Sequence, residues 1–199
     1  MKADLTICIR QLHDKGHSPG TSTNYSFKDA SDQIWVTRSG IDKSQICEDD
    51  FISLDQNGVP TQQYQGVKPS AESGIHVVLY DLFPEAKVVL HSHAVYPIAL
   101  TSCHKANHLS FSGYEMQKGF KGVDTHEGLI QIPVFENAQD MTYFMHELRY
   151  RKTELVHGVF MIRKHGFYAW GENLFDAKRH LESFDYLCQC EWLILTKQI

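Results

Sequence analysis

Positive charge is in short supply in this chain. Lys and Arg number 19 against 24 Asp and Glu, a formal charge of -5. That balance excludes the broad basic face of a general nucleic-acid-binding surface. Long apolar runs are missing too, and none approaches the roughly 20 residues that cross a bilayer. The opening stretch MKADLTICIRQLHDKG carries charges throughout, in place of the apolar core of a signal peptide. These absences predict a cytoplasmic protein with no membrane and no nucleic-acid partner. Cysteine is sparse and odd in number, and Cys8, Cys47, Cys103, Cys188 and Cys190 show no regular spacing, which argues against a disulfide framework. On a helix Cys188 and Cys190 would point about 200° apart, so they make a poor metal clip and read as core thiols. Repeats, low-complexity tracts and linkers are likewise absent. The 199 residues suit one domain, residues 1–199, long enough to bury a real core.

The patterning that is present alternates between helix and strand. Leu5, Cys8, Ile9 and Leu12 fall on one face of a predicted helix over Ala3–Lys15, with Gly16 placed to stop it. Short strands are expected at Asn24–Lys28, Gln33–Thr37 and in DFISL, the last followed by an Asn57-Gly58 turn. A helix over Ala71–Leu82 ends at Pro84, and the β-branched run before His91 reads as a buried strand. Ala94–Ser102 is a predicted helix with Pro97 in its first turn, LIQIPVF a strand, and Ala138–Arg151 a helix. HGVFMIRKHG and GFYAWG follow as strands, and Asn173 is a candidate cap for a final helix reaching Leu195. Connections at Asp55–Gly58 and His165–Gly166 look like hairpins, so the expected fold is α/β: an αβα sandwich with a mostly antiparallel sheet.

Histidine is abundant, with 12 in the chain. In KVVLHSHAVYPIAL, His91 and His93 are two apart where a strand ends, so both imidazoles leave on the same side. His165 follows the strand-like GVFMI and precedes a glycine that permits a tight turn. Three imidazoles with an open fourth position are the usual form of a catalytic zinc centre, able to act as a Lewis acid on a carbonyl oxygen. His104 and His108 form a rival i,i+4 pair, but their polar surroundings suggest an exposed loop. Anion-binding signals also recur. SPGTSTNYSF is rich in small residues and hydroxyls, VTRSGIDKSQI repeats the theme at Ser39-Gly40, and Ser70 lies just before a helix N-terminus. Any one of them could be a plain turn.

GTSTNYSF, TRSGIDK, KPSAES, VVLHSHAVYPIAL and RKHGFYAWG, in that order, resemble the class II aldolase/adducin family. EMQKG, the spacing and the length resemble its methylthioribulose-1-phosphate dehydratase branch, enzymes of methionine salvage. The resemblance implies a class II aldolase-like fold and usually a homotetramer with sites near subunit interfaces. It implies zinc, Zn2+, on His91, His93 and His165, a phosphorylated sugar substrate, and phosphate contacts from Thr21, Asn24, Ser39, Gly40 and Ser70. Thr23 stands where many relatives have glycine, and Ser73 near where some animal dehydratases carry a substrate-contacting cysteine. Two carboxylates compete as acid/base. Glu115 in SGYEMQKG is the choice that the dehydratase resemblance favours, and Glu72 in PSAES sits where the sugar-phosphate aldolases place theirs. The alternatives are therefore a zinc-dependent sugar-phosphate aldolase or epimerase, and a non-enzymatic adducin-like interaction module, which would be expected to lack the full histidine set. Phe111, Tyr114 and Phe120 are candidates to cradle the methylthio group, with core packing the default for each.

Overall fold

The computed structural model describes residues 1–197. Its centre is one eight-stranded sheet. The strands are β1 (Tyr25–Lys28), β2 (Ile34–Thr37), β3 (Phe51–Leu54), β4 (Val88–Ser92), β5 (His108–Phe111), β6 (Ile130–Phe135), β7 (Val159–Ile162) and β8 (Gly166–Gly171). They lie in the order β3-β2-β1-β4-β8-β7-β6-β5. Every neighbouring pair is antiparallel except β6–β7, which is parallel. A parallel pair needs a crossover, and α4 (Met141–Tyr150) provides it.

The central strands β4, β7 and β8 are buried on both faces because helices cover both. On one side α1 (Lys2–Asp14), α3 (Val95–Cys103) and α5 (Leu174–Lys197) pack Leu5, Ile9, Leu100, Leu181 and Phe184 against Val88, Leu90, Phe167 and Ala169. On the other side α2 (Ser73–Leu82) and α4 pack Ile75, Leu79, Phe144 and Leu148 against Val89, Phe160, Tyr168 and Trp170. Successive residues of β4 and β8 thus serve opposite cores, as the period of two requires. The αβα sandwich is the architecture expected from the sequence.

Local chemistry sets the element ends. The Asp140 carboxylate accepts from the N–H groups of Thr142 at 2.9 Å and Tyr143 at 3.2 Å, so α4 begins later than Ala138. The Asn173 Oδ1 accepts from Asp176 N–H at 3.0 Å and caps α5 as expected. The expected hairpin at His165–Gly166 forms between β7 and β8. The one at Asp55–Gly58 turns, with Gly58 at φ +79°, but pairs only through the single bridge Leu54–Pro60. Proline has no N–H to extend that ladder, so β3 stays a sheet edge. β5 has no counterpart among the expected strands. It covers the far edge of β6, and His108 opens it, with Nε2 2.7 Å from the Glu154 carboxylate. His104 and His108 therefore do not form a ligand pair.

Candidate metal centre

β4 and β8 are neighbours in register, His91 opposite Tyr168 and Ser92 opposite Phe167. The β7–β8 turn consequently delivers His165 beside the end of β4. The imidazole nitrogens of His91, His93 and His165 all lie within 4.8 Å of one another. His91 and His93 bring their Nε2 atoms to 2.8 Å. The ring of His91 stacks on Tyr168 with centroids 4.1 Å apart.

The far nitrogens of His91 and His165 are committed elsewhere. The Nδ1–H of His91 donates to the Phe167 carbonyl at 3.0 Å, and His165 Nδ1 faces Asn137 Oδ1 at 3.3 Å. Those bonds leave the Nε2 lone pairs to converge, the tautomer a metal requires. Burial foremost lowers the pKa of His91, and burial with the neighbouring His165 lowers that of His93 to about 4. His91 and His93 are thereby kept neutral at physiological pH, and with His165 they form a donor set fit for a divalent metal ion.

The segment is braced from behind by a residue that sequence reasoning misses. His17, buried after α1, accepts at its carbonyl from the His93 N–H at 2.8 Å, and its Nδ1 lies 2.8 Å from Ser92 Oγ. Alternation turns Ser92 to that side of the strand and its two histidine neighbours to the other. No local pattern marks His17, because its partners are 75 positions away.

Glu72 is the carboxylate at the cluster. It occupies the N-cap of α2 without bonding the helix N–H groups and reaches toward the histidines instead. Its Oε1 lies 2.9 Å from His165 Nε2 and its Oε2 3.4 Å from His91 Nε2. Oε2 also accepts from Asn24 Nδ2 at 2.8 Å and the Tyr168 hydroxyl at 3.1 Å. Burial raises the carboxyl pKa, but His165, His91 and Asn24 more than reverse this and hold it well below the usual carboxylate range.

Asn24 is spent within this assembly. Its amide donates to Glu72 and to Ser70 Oγ, the latter at 3.2 Å, and its carbonyl faces His76 Nε2. Since Asn24 Oδ1 can only accept, His76 Nε2 carries the proton. Its Nδ1 therefore accepts from Ser26 Oγ at 2.7 Å, which also meets the Tyr80 hydroxyl at 2.8 Å. The Asn24 side chain is thus engaged by Ser70, Glu72 and His76 at once. Ser39, Gly40 and Thr21 are exposed, and Ser70 is half-buried. The Arg38–Pro69 bridge and the Ser39 N–H bond to the Lys68 carbonyl, 3.1 Å, bring the loops of Ser39-Gly40 and Ser70 together.

Glu115 is not at this cluster within one chain. It starts a 3-10 turn, Glu115–Gly119, that packs on α5. Its side chain is 73% exposed and pairs with Lys118 at 2.7 Å and His126 at 3.3 Å. Ser73 is buried, and Phe111 and Phe120 are core residues. Tyr114 alone of the three candidate aromatics is part-exposed, and its hydroxyl donates to Glu191 at 2.7 Å.

The sequence profile of the Class II Aldolase and Adducin N-terminal domain matches residues 3–192. This chain belongs to that family. A methylthioribulose-1-phosphate dehydratase of Picosynechococcus sp. is 48% identical over 191 residues, covering 96% of this chain and 90% of that protein. Another of that name, from Marinobacter nauticus, is 40% identical, covering 92% and 88%. Among solved structures, YgbL of Escherichia coli superposes with a TM-score of 0.81 at 18% identity, covering 97% of this chain and 88% of that one. The L-fuculose-1-phosphate aldolase of Thermus thermophilus gives 0.77 at 19%, covering 100% and 98%. At those identities the solved structures speak for the class II aldolase fold. No helix among the described residues is long and apolar enough to cross a membrane.

Proposed function

We propose that this protein is a zinc-dependent hydro-lyase that dehydrates 5-methylthioribulose 1-phosphate to 2,3-diketo-5-methylthiopentyl 1-phosphate, a step of methionine salvage. The observation that carries the reading is the convergence of the imidazole nitrogens of His91, His93 and His165 in a chain whose high-identity relatives bear the dehydratase name. The full histidine set speaks against an adducin-like interaction module.

His91, His93 and His165 would hold the ion. Bound there, zinc would supply Lewis-acid stabilisation of negative charge developing on the C2 oxygen. A carboxylate must take the C3 proton, and the same group can return it to the departing C4 hydroxyl. The C3–H and C4–O bonds break, water leaves, and the resulting enol becomes the diketone. Glu72 is poorly suited to accept that proton. Its oxygens already face His165, His91, Asn24 and Tyr168, which leaves neither of them free toward a substrate. Its role in this reading is to orient the histidine cluster.

Glu115 is the acid/base, presented by a neighbouring subunit of a homotetramer. The surface around it supports this, with Met116, Phe175 and Tyr186 exposed on the Glu115–Gly119 turn and α5. Apolar groups gathered at one surface favour a protein partner. Phosphate falls to the exposed Ser39-Gly40 and Thr21 loops with Ser70.

The test is incubation with methylthioribulose 1-phosphate in deuterated water, following C3–H loss and diketone formation. Glu115→Gln should lower kcat at least about 10²-fold, the lower end for general acid–base catalysis, with zinc content intact. Turnover of that variant at the wild-type rate would remove Glu115 from the chemistry. Release of dihydroxyacetone phosphate from a sugar phosphate, with no diketone from the wild type, would favour the aldolase instead.

A further inference from the structure

Lys43 is only 1% exposed, yet among the described residues it has no carboxylate within ion-pair distance. An ammonium so placed is costly unless something compensates its charge. Its Nζ donates to the carbonyls of Ser22, at 3.1 Å, and Ile41, at 3.2 Å. Ser22 lies between Thr21 and Asn24, and Ile41 directly follows Ser39-Gly40. Lys43 therefore fastens the two loops to each other from the protein side. Burial foremost lowers its pKa, to about 8, so the charge persists at neutral pH. That charge is also felt at His93, whose protonation it opposes.

The bond to Ser22 has a directional consequence. In a trans peptide the C=O and the next N–H point in opposite directions. Drawing the Ser22 carbonyl inward onto Lys43 turns the Thr23 N–H away from the interior. Thr23 has the left-handed backbone of this arrangement, with φ +69°, a region uncommon for a residue with a side chain. Its own hydroxyl donates to the same carbonyl at 2.6 Å, reinforcing that peptide orientation. The Thr23 N–H has no acceptor among the described residues. The result is an outward N–H beside the exposed Thr21, with a positive charge beneath it.

We propose that Lys43 is a positioning residue for the phosphate end of the substrate, holding the Thr21–Asn24 and Ser39–Gly40 loops as one anion cradle and supplying its buried positive charge. This rests on the reading of those loops as the phosphate site. Asp42 and Asp50 compensate that charge only from beyond ion-pair distance, and the phosphate dianion adds a counter-charge at the loops themselves.

The experiment measures the thermal shift of the zinc-loaded protein on adding inorganic phosphate, beside steady-state kinetics. Lys43→Met removes charge and donors at similar length. It should abolish the phosphate-dependent rise in Tm and raise KM at least about tenfold while kcat stays within about threefold, with zinc retained. A scaffolding role alone would lower Tm with and without phosphate and leave the shift intact. Should Lys43→Met fail to fold, the comparison runs between Lys43→Gln, which keeps donors but not charge, and Lys43→Arg, which keeps both. A shift lost in Gln and kept in Arg supports the proposal, and a wild-type shift in Lys43→Gln overturns it. No shift in the wild type itself would overturn it together with the phosphate site. A shift that depends on Lys43, in a protein that fails to dehydrate methylthioribulose 1-phosphate, would sink only the activity.

Discussion

His91, His93 and His165 differ in what holds each of them. His91 is fully buried, fixed by the Phe167 carbonyl and stacked on Tyr168. His93 is set by its backbone bond to His17, and His165 by a turn and Asn137. Loss of any one leaves two ligands, too few for a stable catalytic zinc site. Alanine at each of the three should therefore abolish stoichiometric zinc by metal analysis. His104→Ala and His108→Ala should keep it, since the first is exposed and the second faces Glu154. Full occupancy in His165→Ala would exclude that residue from the centre.

The β7–β8 turn shows how much an element's course depends on one small residue. Lys164, at φ +57°, reverses the chain, and Gly166 then passes tightly against the end of β4. A Cβ on Gly166 would meet the Ser92 carbonyl and come within 2.6 Å of His93 Cδ2 and 3.1 Å of His91 Cε1. Backbone on one side and the ligand rings on the other leave little room to yield. Gly166→Ala should thus lose zinc affinity as well as about 1–3 kcal/mol of stability, the usual cost of overpacking. Denaturant unfolding with and without a chelator separates the two effects. Equal stability with zinc intact would show that β4 and β8 can part without disturbing the centre. The glycine after His165 marks a tight turn from sequence alone. The close approach across strands 73 and 75 positions apart was legible only once β4 and β8 were seen to pair.

At the scale of the whole molecule, one buried polar chain links the α2 side of the sheet to the metal centre. Tyr80, Ser26, His76, Asn24 and Glu72 follow one another by hydrogen bonds. His76 sits in it without solvent contact, and burial foremost lowers its pKa from 6.5 to about 3. The folded state therefore resists protonation where the unfolded chain accepts it. The stability that depends on neutral His76 is complete above the unfolded pKa of about 6.5 and is lost as pH falls toward the folded value. At pH 5.5 the loss from this one group should be about 1.4 kcal/mol. Urea unfolding at pH 7.5 and 5.5 reads it out. His76→Gln should start less stable but lose correspondingly less over that interval, and an unchanged pH slope would move the titration elsewhere.

The sequence by itself determined the alternation of helix and strand, the sandwich, the two strand-end histidines and the turn that carries the third. These follow from local periodicity and from backbone chemistry that a glycine, a proline or a capping Asn sets within a few residues. Tertiary structure alone decided which groups meet. Pairing of β1 with β4 and packing of α2 enclose the Asn24 amide between Ser70, Glu72 and His76. Glu115 is the acid/base that the family resemblance favours and Glu72 its alternative, and nothing in the string places either against the histidines. Folding set one against the histidines and the other on the surface of the turn beside α5. The strand β5, the brace at His17 and the lysine under two loops depend on contacts between distant segments, and such contacts leave no period in the sequence to read.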